Sequence, residues 1–268
     1  MAVVGVAVFI PHFRVTFDWP VARRSLAYAL PLVPHGVASW ALAVSDRLIL
    51  AKYVSPPEIA KYALAYLFST GVTLVGASLM TPVTAAANRQ LGSPETAKNI
   101  PPLGTYALLG TTVCAMAASA CAGELVRVMA PSSYASAVGL VVWVTYGGVL
   151  QSSYVVLSTG TWYSKKTAAV PWVTLASVLA NVIPNLLLVP RFGTIVAAIS
   201  TVVAYAVAAV LHGLLAQRNH PIPWEYGPWA QMVLASLGVV AVVRLLPPSP
   251  NVLVGIGLTT LASFALFG

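Results

Sequence analysis

The sequence predicts an all-α integral membrane protein, a multi-span bundle of about eight transmembrane helices behind an N-terminal helix stump. Three observations predict it. Of 268 residues, 59% are apolar or aromatic, only 7% are charged, and the mean hydropathy is +0.86. A water-facing domain carries roughly 25% charged residues to cover its surface, so lipid must be the solvent for most of this chain. The apolar residues also fall in runs of about 20, the length at which a helix crosses the hydrocarbon core. Finally, the 14 basic residues are scattered between those runs. Scattered Lys and Arg set the orientation of loops, so the net charge of +8 does not indicate nucleic acid.

Taken in order, residues 1–10 are apolar but would reach only about 15 Å as a helix, which makes them a stump rather than a span. Residues 11–24, with His12, Arg14, Asp18, Trp19, Arg23 and Arg24, read as an interfacial loop. Full spans are expected at 25–51, 59–84, 102–121, 137–160, 167–189, 193–216, 228–246 and 251–268. The expected organisation is a stump and cytoplasmic loop (1–24), a six-helix lobe (25–217) and two additional terminal helices (218–268).

Alternate loops differ in charge. With 11–24 cytoplasmic, one side collects Arg14, Arg23, Arg24, Arg89, Lys98, Lys165, Lys166 and Arg218, and the other Lys52, Lys61, Arg127, Arg191 and Arg244, with Arg47 close to it. This modest bias favours the first side as the cytoplasmic one. The expected location is the inner, cytoplasmic membrane of a cell, as a multi-pass protein. Trp162 and Tyr163, and Trp224, Tyr226 and Trp229, suit an aromatic belt on that side.

Polar side chains within the spans fall on stripes. Tyr28, His35, Ser39 and Asp46 share one helical face in the first span, and Tyr62, Tyr66, Ser69 and Thr73 one in the second. The fourth span carries Trp143, Gly147, Gln151, Tyr154 and Ser158 together; the fifth Thr174, Ser177, Asn181 and Asn185; the sixth Thr201, Tyr205 and His212. Such faces are costly to turn toward lipid, so they face one another or water, and both plain helix packing and a hydrated cavity account for them. Asp46 and Arg47 form an adjacent acid and base near the end of a span, where an anchor and a substrate or proton contact are equally open. His35 lies deeper and, with Asp46, is a proton-relay candidate. Prolines inside spans (Pro31, Pro34, Pro82, Pro171 and Pro184) point to kinked helices.

No motif calls for a cofactor, a metal or catalysis. There is no phosphate loop, GTWYSKKT at 160–167 lacks the necessary spacing, and the acids outside the spans stand singly. Cys114 and Cys121 make neither a disulfide framework nor a ligand cluster. A transporter-like protein is expected, not an enzyme.

Residues 23–91 resemble the start of the C-terminal lobe of polysaccharide-biosynthesis flippases of the multidrug/oligosaccharidyl-lipid/polysaccharide exporter superfamily. The cues are Pro31, Asp46-Arg47, the short polar turn before Tyr62, and Pro82 closing the next span. Residues 176–205 resemble the family's later hallmark, with Asn181, Asn185, Pro190, Phe192, Gly193, Ala197, Ala198 and Tyr205 in matching places, whereas Ala60 and Val196 replace glycines. Tyr134 and Ala135 also match. The resemblance covers residues 20–217, one lobe of two. It implies alternating-access export of an undecaprenyl-type lipid-linked oligosaccharide by a partial chain that needs a second lobe or a homodimer. It also implies Asp46 and Arg47 near an outer gate, with Tyr66, Gln151, Asn181 and Asn185 as lining for sugar hydroxyls. Alternatives are a cation-coupled multidrug exporter of the same superfamily and a non-transporting scaffold for glycan assembly.

Overall fold

The computed structural model describes residues 18–245 except 31, 91 and 94, and of residues 95–97 the backbone only. The expected stump, most of the first loop, Pro31 and the eighth span therefore lie outside the described residues. Seven segments among the described residues are long and apolar enough to cross a membrane, matching the first seven expected spans. The chain is a multi-pass, all-helical membrane protein.

Helix α1 (Trp19–Ala29) is capped by Asp18, whose carboxylate accepts from the Val21 amide at 3.2 Å, and carries Pro20 in its first turn, where no amide is needed. The next helix is α2 (Leu32–Tyr53). Tyr28, at the start of the polar stripe expected in the first span, lies on α1 and lines a surface hollow.

A two-residue break leads to α3 (Pro56–Gln90), which at 35 residues is longer than expected because Pro82 does not close it. The side chains of Ser78, Thr81 and Thr84 donate to the carbonyls of Leu74, Ala77 and Thr81, giving the disturbed turn local hydrogen bonds. There follow α4 (Glu95–Ala120), the short α5 (Ala122–Met129), a 3₁₀ turn (Ser132–Ala137), α6 (Val138–Leu157), α7 (Thr159–Ser164), α8 (Val170–Phe192), α9 (Thr194–Asn219) and α10 (Tyr226–Leu245). Helices α8 and α9 meet at Gly193, whose φ of +67° suits a residue without a Cβ.

Helix α6 is the hub, packed against α3, α4 and α9; α8 joins α9 to α2, and α10 lies on α4. Lipid supplies no hydrophobic drive between helices, so close approach through small residues must. A Cβ on Gly76 of α3 would fall 2.0 Å from Ser152 Oγ of α6, and one on Gly148 of α6 would meet Thr73 Oγ1 at 3.1 Å. The outward faces keep large apolar residues such as Trp40, Leu74, Leu187 and Leu234 exposed, as a lipid-facing surface does.

Loops grouped by charge also meet in space. Gly92 approaches the Tyr163 hydroxyl, Tyr163 stacks near His220 at 5.2 Å, and Gly160 packs on the His220 carbonyl. The loops after α3, α7 and α9 thus share one end of the bundle, with Trp224, Trp229 and Tyr226 stacked there. At the opposite end Arg244 donates to the carbonyls of Val138 and Ser119.

Candidate functional site

Helices α2, α8 and α9 pass one another with their polar stripes inward, and the stripes condense into two neighbouring features. The first is a dry node around Asp46, which is only 3% exposed. Tyr62 of α3 donates to Asp46 Oδ2 at 2.6 Å, Thr201 of α9 approaches the same oxygen at 3.0 Å, and Ser45 approaches Oδ1 at 3.3 Å. Ser45 Oγ also reaches Asn181 Oδ1 of α8 at 2.8 Å; Asn185 Nδ2 donates to that same oxygen at 3.1 Å, and Ser200 Oγ lies 2.9 Å from Asn185 Oδ1. Asn181 and Asn185 are both fully buried, and Asn181 Nδ2 has no partner among the described residues.

The node is rich in acceptors. A hydroxyl owns one proton, yet Thr201 sits within hydrogen-bond distance of both Asp46 Oδ2 and the Ala197 carbonyl, and Ser200 of both Asn185 Oδ1 and the same carbonyl. Ser45 likewise faces Asp46 and Asn181. The carboxylate has no ion-pair partner among the described residues. Such a cluster has lone pairs in excess of its donors, which favours one further positive charge at Asp46.

Arg47 does not share the node. One residue along a helix turns about 100°, so Arg47 points outward, is exposed, and lies with its guanidinium 5.1 Å from the Tyr66 ring centroid. Tyr66 is half-buried and packs its ring 5.9 Å from that of Tyr62, so it links the outward cation to the inward acid. Asp46 itself lies two turns before the end of α2, buried between helices.

The second feature is a cavity of about 70 Å³ one helical turn away, bordered by His35, Ser39, Gln151, Tyr154, Ser177 and His212 among others. His35 Nδ1 lies 2.6 Å from Thr174 Oγ1, and its ring centroid is 6.1 Å from that of His212. His212 is buried with Nδ1 unpartnered among the described residues, and stacks against Tyr154 at 5.3 Å. Gln151 accepts from Thr73 at 3.4 Å and borders this cavity, away from the Asp46 node. The volume and polar lining suit a few waters.

Seven residues singled out in the sequence therefore separate into three places: Asp46, Asn181 and Asn185 in the node, Gln151 and His35 at the cavity, and Arg47 with Tyr66 on the outward face. Tyr62, Thr201, Ser177 and His212 were on the stripes without being singled out. Spacing by four residues from the chosen ones was their signal: Tyr62 before Tyr66, and Ser177 before Asn181. Ser45 and Ser200 gave none, since single serines are common in membrane helices.

No protein-family model matches the chain, and no curated protein matches it. Among solved structures it is similar to one titled "Lipid II flippase MurJ, inward closed conformation", with a TM-score of 0.68 and 17% sequence identity. The chain shares the fold of that flippase. The likeness takes in 98% of this chain and 57% of the other, so this chain spans somewhat over half of that flippase's length. The Asp46 node and the histidine cavity thus sit inside a helical bundle that shares the fold of that structure.

Proposed function

We propose that the protein takes part in flipping a lipid-linked oligosaccharide or polysaccharide precursor across the cell's inner membrane by alternating access. The observation that carries this reading is the fold, similar over nearly the whole chain to that of a protein named as a flippase of a lipid-linked precursor. In this reading residues 25–217 form one lobe, residues 218–268 add two helices, and the translocation path runs between this lobe and a second lobe or a second copy. Arg47 and Tyr66, exposed and half-buried on the outward face, meet the substrate from that path, the cation offering charge to a lipid diphosphate. Asn181 and Asn185 act from within, holding the Asp46 node rather than lining sugar hydroxyls, because both are fully buried.

A second reading, cation-coupled export of small molecules, is favoured by one observation, the acceptor-rich carboxylate with no cation beside it. A proton or monovalent cation taken up at Asp46 in one conformation and released in another would couple an ion gradient to either cargo.

Reconstitution into vesicles separates these readings. The protein, at one and at two or more copies per vesicle, is given a fluorescent undecaprenyl-diphosphate oligosaccharide or a lipophilic dye. Lipid movement above empty vesicles that disappears in Asp46→Ala supports flipping. Dye movement without lipid movement supports the small-molecule reading, and no movement with retained binding of glycan enzymes supports a scaffold.

A further inference from the structure

The basic end of the bundle carries a hollow that the flipping reading does not use. It measures about 670 Å³ and is lined by Arg24, Ser25 and Tyr28 of α1 and by Trp162 and Lys165 at the end of α7. It shares Arg24 with an adjoining hollow of about 380 Å³ that reaches Arg23. Both Arg24 and Lys165 are exposed, and neither is in an ion pair among the described residues. Arg24 spends its Nε on the Pro20 carbonyl at 3.3 Å, leaving the two terminal nitrogens directed elsewhere. Arg23 and Lys166 raise the local charge to four cations.

The hollow is built rather than incidental. The Thr167 hydroxyl reaches the Tyr28 carbonyl at 3.4 Å, tying α1 to the turn after α7 although the two are 139 residues apart. Lys165 is the one described non-glycine residue with positive φ, +56°, held there by its amide donating to the Trp162 carbonyl at 3.2 Å. A lysine kept where glycine or asparagine would fit more easily points to a use for its side chain. Trp162 is fixed by its indole N–H donating to Ser158 at 2.8 Å, which gives the hollow an aromatic wall of the kind that meets lipid headgroups.

We propose that this hollow binds a phosphate group at the membrane edge, with Arg24 and Lys165 as its cations and Ser25 and Tyr28 as further donors. Guanidinium and ammonium converging from two elements on a site with no lining carboxylate select phosphate oxyanions over zwitterionic headgroups. Two sources share that chemistry: the headgroup of an anionic bilayer lipid, and the diphosphate of a prenyl-linked substrate. The site goes beyond the flipping reading, and its test is a binding measurement that does not depend on transport.

The purified chain in nanodiscs of phosphatidylcholine, with and without a tenth of phosphatidylglycerol, is assayed for bound lipid by native mass spectrometry and for thermal stability. Anionic lipid should be retained about tenfold over phosphatidylcholine, and Arg24→Gln/Lys165→Gln should lose most of that preference. Arg89→Gln/Lys98→Gln removes equal charge at the same end outside the hollow and should keep it. Lys165→Gly, which relieves the backbone and so folds, should lose about half in logarithmic terms. Displacement of the lipid by water-soluble farnesyl diphosphate assigns the site to a substrate diphosphate; lipid retention without displacement assigns it to a headgroup. Absence of any anionic preference, or equal loss in the two double variants, would overturn the proposal.

Discussion

The Asp46 node and the histidine cavity share helices α2, α8 and α9 one turn apart, the node adding Tyr62 of α3 and the cavity Gln151 and Tyr154 of α6, yet they solve the problem of polarity in a membrane in opposite ways. At the node the polar atoms are packed against one another: Tyr62, Thr201, Ser45, Asn181, Asn185 and Ser200 are within hydrogen-bond distance in a continuous chain, and space for water is not needed. At the cavity the contacts are few, one between His35 and Thr174, and about 70 Å³ is left open. A packed node is brittle, because each group removed strands its neighbours, whereas a hydrated one tolerates change because water substitutes for a lost side chain. Polar residues of similar spacing in the sequence thus have different consequences in the fold.

The largest effect is expected at the centre of the node. Asp46→Ala leaves the fully buried Tyr62 hydroxyl without its acceptor and takes from Thr201 one of its two, which should cost about 2–4 kcal/mol in an unfolding titration and abolish transport. Stability unchanged from the parent would show that the node is not held together by the acid. Next, Asn181→Ala removes the acceptor of both Ser45 and Asn185 and should cost about 1–3 kcal/mol. His212→Leu makes the same kind of deletion at the cavity, where no hydrogen bond is lost, and should stay within about 1 kcal/mol of the parent. Equal costs at the two positions would erase the distinction between node and cavity.

Water itself can be asked. In a background with Cys114 and Cys121 changed to alanine, a cysteine at Ser39 borders the cavity and one at Ser45 the node. A charged thiosulfonate should modify the first about tenfold faster than the second, a ratio set by the free-energy cost of bringing water to a packed site. A dry response at both positions would favour helix packing alone over a hydrated interior.

How far this architecture could be read from the sequence follows the same division. Composition and run length specify the solvent, so the spans and the all-helical class are legible from the order of residues alone. The stripes were legible too, because period 3.6 places Asp46, Asn181 and Asn185 on inward faces whatever the neighbours are. What the sequence does not carry is which stripe faces which. Gln151 and Asn181 are equivalent amides on paper, and only the rotation of α6 against α3 and α9 sends one to the cavity and leaves the other in the node. Helix ends are less legible for a related reason: Pro82 sits inside α3, which runs on to Gln90, because a proline within a packed membrane helix need not end it. The fold comparison adds an element the sequence resemblance had stated more narrowly, a flippase-type fold without the particular glycan family.

The smallest effect is expected where the two regions open outward, at Tyr66. Its ring lies under Arg47 and beside Tyr62, so it could serve the cation or the acid. An exposed cation–π contact is worth about 0.5–1 kcal/mol and needs the ring but not the hydroxyl. Tyr66→Phe should therefore leave stability and lipid transport as they are, while Tyr66→Leu should cost about 0.5–1 kcal/mol and raise the substrate concentration needed for half-maximal flipping. If Phe and Leu prove equally harmful, the hydroxyl is the working group. Tyr66 then belongs with Tyr62 in the Asp46 node, and the node reaches the translocation path directly instead of through the packing of one ring on another.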